Sequence, residues 1–373
     1  MIIRTELLQD SCAKILGAVD SNVLSAITET LEIKAHNNVF TMAVTNREYF
    51  VEIKMDIEVS DDFHATVNAN LFLKLIAKVT SETIELTTNG NSLHIKCNGD
   101  YKIPLIYDGE ELMELPRINI ESVSEELDVE SSVLRSLVNY NSKELQKGTI
   151  SKPIQRLYYI DNQGAVTFTT GACVNKFELD MTSKLLFNDK LVKLFKLFKD
   201  GKVKMTIGHN PVGEDIVTTA VTFEAPNISI SAVLSCDDSM IVSFPVDGIR
   251  GRAETVYPHS VALNKDILTQ AIDRLMLFGQ AAAKTDASMS VVKMQFGSNS
   301  VVVSDRLGIN KEEVAYSSEC SGVEYTAYID SNDLTKTLAS STNQFVTFNF
   351  GNSQAFVLAE GMIRWVIPEC SEN

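Results

Sequence analysis

The 373-residue sequence predicts an α+β protein made of three similar domains. Two observations support this fold class. Apolar and polar residues alternate with a period of two along many short runs, and NG, GN and DG turns separate these runs, as is typical of antiparallel strands with one face in a core. A helical pattern of one kind also occurs three times among the strands, at intervals that suit a domain.

The alternating runs are spread along the whole chain. They include TIELTT at 83–88, SLHIKC at 92–97, AVTFTT at 165–170, VKMTI at 203–207, SVVVS at 300–304 and FVTFNF at 345–350. Because one residue in two is apolar, each run predicts a strand that buries one face and exposes the other.

The repeated helix follows an apolar anchor residue, which is Val67, Phe187 or Ile329. In each copy an Asn or Ser stands where it would cap the helix, and a strand follows the helix. The three anchors are spaced by 120 and 142 residues. Such intervals are the length of a domain.

A second helical stretch precedes each of these units and begins at Glu6, Asp128 or Asn264. The order helix, strands, helix, strands therefore occurs three times. The polar stretches around 117–126 and 249–260 are candidate boundaries. We predict domains over residues 1–122, 123–252 and 253–373.

Charge and composition exclude several classes of protein. The formal net charge is −16, and no apolar run of 18 residues or basic leader is present, so we expect a cytoplasmic protein with no membrane partner. The six cysteines and five histidines form no metal-binding motif, and the common phosphate-binding and nucleophile motifs are missing. We therefore expect no cofactor, no metal and no catalytic residue.

A basic helix stands out against this acidic background. In the stretch LVKLFKLFKDGKVK at 191–204, helical spacing places Lys193, Lys196 and Lys199 in the same half of the helix as the preceding Lys190. A solvated amphipathic face is one interpretation, and contact with DNA phosphates is the other. Lys74 and Lys336 lie in the matching helices of the other two units and favour contact with DNA phosphates.

With these residues, the chain resembles the β sliding clamp of bacterial DNA polymerase III over its entire length. The similar stretches are HATVNANLFLKLI, GDYKIPLIYDGEELMELP, NKDILTQAIDRLMLF and the tail RWVIPEC. The resemblance implies three clamp-type domains, each with two helices on the inner face and antiparallel sheets outside, in a ring formed by a head-to-tail dimer. It implies a non-catalytic processivity factor that encircles double-stranded DNA. The implied partners are a replicative DNA polymerase, a clamp loader and other proteins with a clamp-binding motif.

The resemblance also assigns site residues. The implied partner-peptide pocket contains Thr169, Gly171, Ala172, Val174, Val256, Trp365, Ile367 and Pro368. The implied DNA contacts are Lys74, Lys152, Lys190, Lys193 and Lys196. The implied dimer interface pairs Tyr101 and Ile103 with Leu277 and Phe278. The strand-turn motif of the pocket, residues 169–174, lacks the usual arginine, so a more apolar pocket with a different peptide preference is expected.

Two other interpretations of the chain stay open. One is a three-domain interaction scaffold whose lysines are only solvated. The other is an enzyme whose site is assembled from scattered residues such as Asp161, Asp189 and His209. Within the clamp interpretation, bacterial and phage or plasmid origins are alternatives.

Overall fold

The computed structural model describes residues 1–19, 26–58, 62–145, 152–211, 217–234, 238–283, 290–317, 323–352 and 355–371. The chain divides into two compact units. The first comprises Met1–Ser132 and Lys193–Asp237, and the second comprises Val133–Val192 and Asp238–Asn373. None of the helices in the described ranges is long and apolar enough to cross a membrane.

The described residues form 26 strands and nine α-helices. The strands are β1 (Ile2–Arg4), β2 (Thr30–His36), β3 (Val39–Thr45), β4 (Tyr49–Asp56), β5 (Phe63–Asn68), β6 (Thr83–Asn89), β7 (Ser92–Lys96), β8 (Asp100–Pro104), β9 (Tyr107–Asp108), β10 (Glu111–Leu112), β11 (Ser122–Glu130), β12 (Leu157–Asp161), β13 (Gly164–Phe168), β14 (Ala172–Lys176), β15 (Leu185–Asn188), β16 (Lys202–Pro211), β17 (Val217–Ala225), β18 (Ile228–Leu234), β19 (His259–Asn264), β20 (Val291–Phe296), β21 (Ser300–Asp305), β22 (Lys311–Ala315), β23 (Tyr325–Asp330), β24 (Phe345–Phe350), β25 (Ala355–Glu360) and β26 (Ile363–Pro368).

The helices are α1 (Thr5–Leu16), α2 (Ala69–Ile76), α3 (Ser131–Ser136), α4 (Ser142–Leu145), α5 (Asp189–Leu194), α6 (Asp238–Ser243), α7 (Val246–Glu254), α8 (Lys265–Ala283) and α9 (Ser331–Ser340). A π-helical turn, Leu137–Asn141, joins α3 to α4, and 3₁₀ turns cover Ala26–Glu29, Pro153–Arg156 and Phe195–Leu197.

The first unit contains an eight-stranded sheet in the order β11-β16-β17-β18-β4-β3-β2-β5. It also contains a four-stranded sheet, β1-β6-β7-β8, and a ribbon of β9 and β10. Helices α1 and α2 pack against each other, and α1 also packs against β3 and β4. Leu8, Cys12 and Ile15 give α1 a buried face at helical spacing.

The second unit repeats this plan. Its eight-stranded sheet has the order β15-β12-β13-β14-β26-β25-β24-β19, and its four-stranded sheet has the order β22-β21-β20-β23. Helices α8 and α9 pack against each other and supply Leu268, Ile272, Leu334 and Leu338 to a core that contains Trp365. Every pairing among the described strands of both units is antiparallel, as the period-two alternation predicts.

The three helices that follow the anchors begin in the same way. The side chains of Asn68 and Asn188 accept hydrogen bonds from the N–H groups of Leu71 (2.9 Å) and Leu191 (2.8 Å), and Asp330 accepts from Asn332 (2.9 Å). Each cap directly follows its anchor, so the repeat extends to the capping contact, but the third cap is Asp330 and not the Asn or Ser that the sequence predicted. The division into three domains itself stays a prediction from this repeat.

Candidate functional site

A cavity of 270 Å³ opens on the face of the eight-stranded sheet in the second unit that lies opposite the core containing Trp365. The turn between β13 and β14, helix α7 and the ends of β25 and β26 enclose it. Its lining consists of Phe168, Thr169, Thr170, Gly171, Ala172, Pro245, Gly248, Ile249, Arg252, Ala355, Val366 and Pro368. Apolar and small residues dominate this lining, so the cavity, called the groove below, suits apolar side chains.

The β13–β14 turn forms one wall of the groove and is held from several sides. The Thr169 N–H donates to the Gly171 carbonyl (2.9 Å), and the Thr169 hydroxyl donates to a Glu144 carboxylate oxygen (2.9 Å). A Cβ on Gly171 would lie 2.6 Å from the Val366 carbonyl oxygen. Glycine is therefore required for the turn to approach β26 this closely.

Helix α7 forms the opposite wall, and an ion pair attaches it to β12. The Arg250 guanidinium donates to both Asp161 carboxylate oxygens at 2.7 Å, and both side chains are nearly buried. Burial raises the pKa of Asp161, but hydrogen bonds from Arg250 and from the Gln163 N–H outweigh it and hold that pKa below the ordinary value. This bidentate contact positions the face of α7 that carries Gly248, Ile249 and Arg252.

Arg252 supplies the positive charge at the groove. Its side chain is exposed, and among the described residues no carboxylate pairs with it. The strand-turn motif lacks the arginine expected there, but α7 brings a different arginine to the same cavity. An acidic group next to the apolar part of a ligand would find a partner here.

The predicted pocket residues on β14 and β26 lie on both faces of the sheet, and only some of them line the groove. Thr169, Gly171, Ala172 and Pro368 line the groove. Ala172 lies opposite Val366, and the next pair, Cys173 and Trp365, points to the other face of the sheet.

The remaining predicted pocket residues lie outside the groove lining. Trp365 and Ile367 belong to the core, where the Trp365 ring meets the edge of Tyr140 at 6.1 Å. Val174 is buried, and Val256 is 93% exposed just beyond α7.

The sequence predicted Val256 as the pocket residue of this segment, whereas residues of α7 itself line the groove. Gly248, Ile249 and Arg252 lie at helical spacing on one face of this helix. That spacing is the signal that points to a shared face, but it does not identify which sheet the face lies against.

The predicted basic helix is shorter than the lysine pattern suggests. Helix α5 ends at Leu194, and the 3₁₀ turn Phe195–Leu197 continues it. Lys190, Lys193 and Lys196 are exposed along this segment. Leu191, Leu194 and Phe195 are buried, and the Phe195 ring packs edge-on against Phe223 at 4.8 Å. Apolar burial therefore orients the lysines towards solvent.

The other predicted contact residues lie on exposed elements, with one exception. Lys74 is exposed in the last turn of α2, and Lys152 is exposed beside the 3₁₀ turn that begins at Pro153. On β8, Tyr101 is 42% exposed, whereas Ile103 is buried in the core of the first unit. Leu277 and Phe278 on α8 are 68% and 59% exposed.

One cluster has the residue types of a metal site. Carboxylate and imidazole groups of Glu32, His64 and Glu114 lie close together in the first unit. The Lys34 ammonium lies 3.0 Å from both Glu32 Oε1 and Glu114 Oε1. Burial raises the pKa of Glu32, but contacts with His64, Lys34 and Arg117 lower it to about 2. The lysine therefore already supplies the cation that these carboxylates require.

Two residues considered for a scattered enzyme site have structural partners. Asp161 pairs with Arg250, and Asp189 accepts a hydrogen bond from the Tyr158 hydroxyl at 2.8 Å. These contacts give both carboxylates a structural role.

Comparison with known proteins gives a family match for the N-terminal part of the chain. Residues 1–112 match the family model described as DNA polymerase III beta subunit, N-terminal domain. The chain is similar to the beta sliding clamp of Mycoplasmopsis pulmonis (strain UAB CTIP), with 27% identity over 122 residues. That match covers 32% of this chain and 31% of the relative, so it spans about a third of the curated protein.

Solved structures match over nearly the whole chain. The DNA polymerase III beta chain of Streptococcus pneumoniae TIGR4 is 17% identical with a TM-score of 0.77, covering 99% of both chains. The DNA polymerase sliding clamp of Bacillus subtilis is 16% identical with a TM-score of 0.76, covering 99% of this chain and 98% of its own. The predicted α+β fold class is confirmed, and the fold is that of bacterial polymerase beta subunits. Residues 1–112 are thus similar to the DNA polymerase III beta subunit family, and the whole chain has the fold of bacterial beta sliding clamps.

Proposed function

We propose that this protein is a DNA polymerase processivity factor, a ring-shaped clamp that encircles duplex DNA and tethers a polymerase. The observation that carries the proposal is the clamp fold, which extends over 99% of the chain. In this role the protein has no catalytic step of its own. Its work is to keep other proteins on DNA.

The exposed lysines of α5 and its 3₁₀ extension supply the DNA contact. Lys190, Lys193 and Lys196 attract phosphates without reading bases, and flexible lysines allow the ring to slide. Nonspecific binding of this kind is weak, with dissociation constants on the order of 10⁻⁴ to 10⁻⁶ M at physiological salt. Because the whole chain carries a net charge of −16, enclosure rather than charge must retain the protein on DNA.

The groove in the second unit supplies the tether. Its apolar lining accepts a short apolar peptide from a replicative polymerase, a clamp loader or another protein with a clamp-binding motif. Arg252 favours peptides with an acidic residue beside the apolar anchors. A shared groove lets these partners compete for one clamp.

The test compares circular with linear DNA. The protein is diluted to open the ring, mixed with nicked circular DNA, concentrated, and passed through gel filtration in moderate salt. We expect retention on the circle and release within minutes after the circle is linearised, because the ring slides off free ends. Equal retention on both DNA forms would contradict enclosure.

The interaction-scaffold interpretation predicts a different result in the same experiment. A scaffold that does not meet DNA would elute separately from the circle at every salt concentration. Bovine serum albumin, another acidic protein, serves as the control for nonspecific co-elution.

A further inference from the structure

We infer that the second unit binds a partner peptide at two places, with the apolar residues in the groove and an acidic residue at Arg364 in a polar cavity on the other side of α7. This inference rests on the proposed function, because the groove must hold the apolar part of the peptide. The polar cavity has a volume of 670 Å³, and its lining includes Lys176, Glu254, Tyr257, Thr347, Asn349 and Arg364.

The strands of the eight-stranded sheet place the groove and the polar cavity on one face. On β26, Pro368 and Val366 line the groove, and Arg364 lines the polar cavity. Alternate residues of a strand share a face, so these three side chains lie on the same side of the sheet. Strand β25 repeats the order, with Ala355 in the groove and Ala359, the partner of Arg364, in the polar cavity.

The two cavities are close enough for one peptide to contact both. Four residues of β25 separate Ala355 from Ala359, which corresponds to about 13 Å in a strand, and an extended peptide of about four residues spans the same distance. The end of α7 borders both cavities. Arg252 lines the groove, and Tyr257, whose hydroxyl donates to the Arg252 carbonyl (3.1 Å), lines the polar cavity.

Arg364 is the cation of the polar cavity that has no carboxylate partner among the described residues. Its Nη1 donates to the carbonyls of Gly361 (2.6 Å) and Ile363 (2.9 Å), which holds the side chain at the turn between β25 and β26. The other N–H groups of the guanidinium can bind a carboxylate. Lys176, in contrast, already pairs with Glu254 at 2.7 Å.

Glu254 favours an acidic peptide over a nucleic acid as the ligand. Contact with Lys176 holds the pKa of Glu254 below its ordinary value, so this carboxylate is ionised at neutral pH. A phosphodiester backbone would bring a row of negative charges towards it, whereas a peptide brings one carboxylate to Arg364. The Asn349 amide nitrogen donates to the Val357 carbonyl (3.1 Å), so its oxygen can accept from a peptide N–H.

Synthetic peptides test the inference by fluorescence anisotropy. Each carries the apolar core Leu-Ala-Leu-Phe, a Gly-Ser-Gly-Ser spacer, and either Glu-Glu or Gln-Gln beyond the spacer. Both orders are made, with the polar pair before or after the core, so that either chain direction is sampled. In one order the Glu-Glu peptide should bind wild-type protein about threefold to tenfold more tightly than the Gln-Gln peptide at low ionic strength, and high salt should reduce this ratio towards one.

Variants of Arg364 assign the effect to this residue. Arg364→Gln should reduce the ratio to about one and leave the affinity for the Gln-Gln peptide unchanged, because the change removes a charge outside the groove. Arg364→Lys keeps the charge and should retain part of the ratio. Lys293→Gln removes a positive charge from β20, outside both cavities, and serves as the matched control. Thermal unfolding checks that each variant is folded, and the wild-type ratio tests the inference without any variant.

The outcomes separate the polar cavity from the groove. Suppose that the Gln-Gln peptide binds and Pro368→Asp weakens it. A wild-type ratio of one, or a ratio that Arg364→Gln leaves unchanged, would then overturn the role of the polar cavity and leave the groove intact. A Gln-Gln peptide that does not bind, or that binds Pro368→Asp equally well, would contradict the proposed function of the groove and this inference with it. A dT oligonucleotide of about ten nucleotides that abolishes the ratio would assign the polar cavity to nucleic acid and overturn the acidic peptide.

Discussion

The contact between Asp161 and Arg250 shows how a pair of residues distant in sequence shapes the groove. The two residues are 89 positions apart, and their bidentate contact attaches α7 to β12. Arg250 also lies over the Tyr159 ring at 5.8 Å. Neither residue lines the groove, yet the position of Ile249 and Arg252 depends on them. Such a role cannot be predicted from local sequence, because nothing near either residue identifies its partner.

Replacing Asp161 by Asn should destabilise the protein and weaken peptide binding. Because the change leaves Arg250 nearly buried without a carboxylate, we expect a loss of about 3 kcal/mol in the free energy of unfolding at neutral pH. Urea denaturation measures this loss. Glu312→Gln breaks the more exposed pair with Arg274 and should cost less than about 1 kcal/mol.

The pH dependence of the same variant has a defined sign. The pKa of Asp161 is lower in the folded protein than its ordinary value of 3.8, so its stabilising contribution is complete above that value. The contribution disappears as the pH falls through the lowered pKa. The gap between wild type and Asp161→Asn should therefore stay constant from pH 7 to about pH 5 and narrow below 3.8. A gap that widened in acid would contradict this assignment.

Among the elements, strands were predicted more accurately than helices. The run at 345–350 coincides with β24, and the run at 203–207 lies within β16. Their alternation arises from one buried face, which sequence displays directly. The lysine-rich helix is shorter than the sequence predicted. Helix α5 gives way to a 3₁₀ turn at Phe195, and helical periodicity in a sequence does not distinguish an α-helix from a 3₁₀ turn.

Strand β26 carries both a residue that stabilises the core and a residue that lines the groove. Trp365 points into the core, whereas Pro368 is exposed and lines the groove. Trp365→Ala should lower the free energy of unfolding by about 3–5 kcal/mol. Pro368→Asp should leave stability nearly unchanged and weaken binding of an apolar peptide, because it brings a charge to an apolar wall. Calorimetric titration with peptide and thermal unfolding measure the two effects.

The assignment of faces would be wrong under the reverse result. If Pro368→Asp unfolded the protein while Trp365→Ala reduced only peptide affinity, the two residues would have exchanged roles. Phe345→Asp is a suitable surface control, since Phe345 is 48% exposed on β24 and does not line the groove.

For the whole molecule, the repeat was the most informative feature of the sequence. Asn68, Asn188 and Asp330 cap equivalent helices. The position of the caps after the anchors is visible without a structure, although an Asn or Ser was predicted where Asp330 caps the third helix. The groove was only partly predictable. Its turn and final strand followed from the family resemblance, but α7 reaches it through a non-local ion pair. Continuous sheets such as β14 with β26 likewise join segments almost 200 residues apart, and no sequence period encodes that pairing.

The lysines of α5 and its 3₁₀ extension should account for a measurable part of the salt dependence of DNA binding. On linear duplex DNA, where enclosure cannot retain the protein, affinity depends on released counterions, with a slope of about −0.9 per neutralised phosphate on logarithmic axes. Replacing Lys190, Lys193 and Lys196 by Ala should therefore make this slope shallower by up to about 3 if each lysine contacts one phosphate. Fluorescence anisotropy over a salt series measures the slope.

A charge-matched variant separates these contacts from net charge. Lys54, Lys202 and Lys204 are surface lysines on β4 and β16, away from α5, and pair with Glu52, Asp128 and Glu126. Their replacement by Ala changes the net charge equally and should leave the slope almost unchanged. Rings already closed on circular DNA should stay bound in both variants, because enclosure does not depend on these lysines. Equal slopes for the two variants would show that the lysines of α5 and its 3₁₀ extension do not contact DNA.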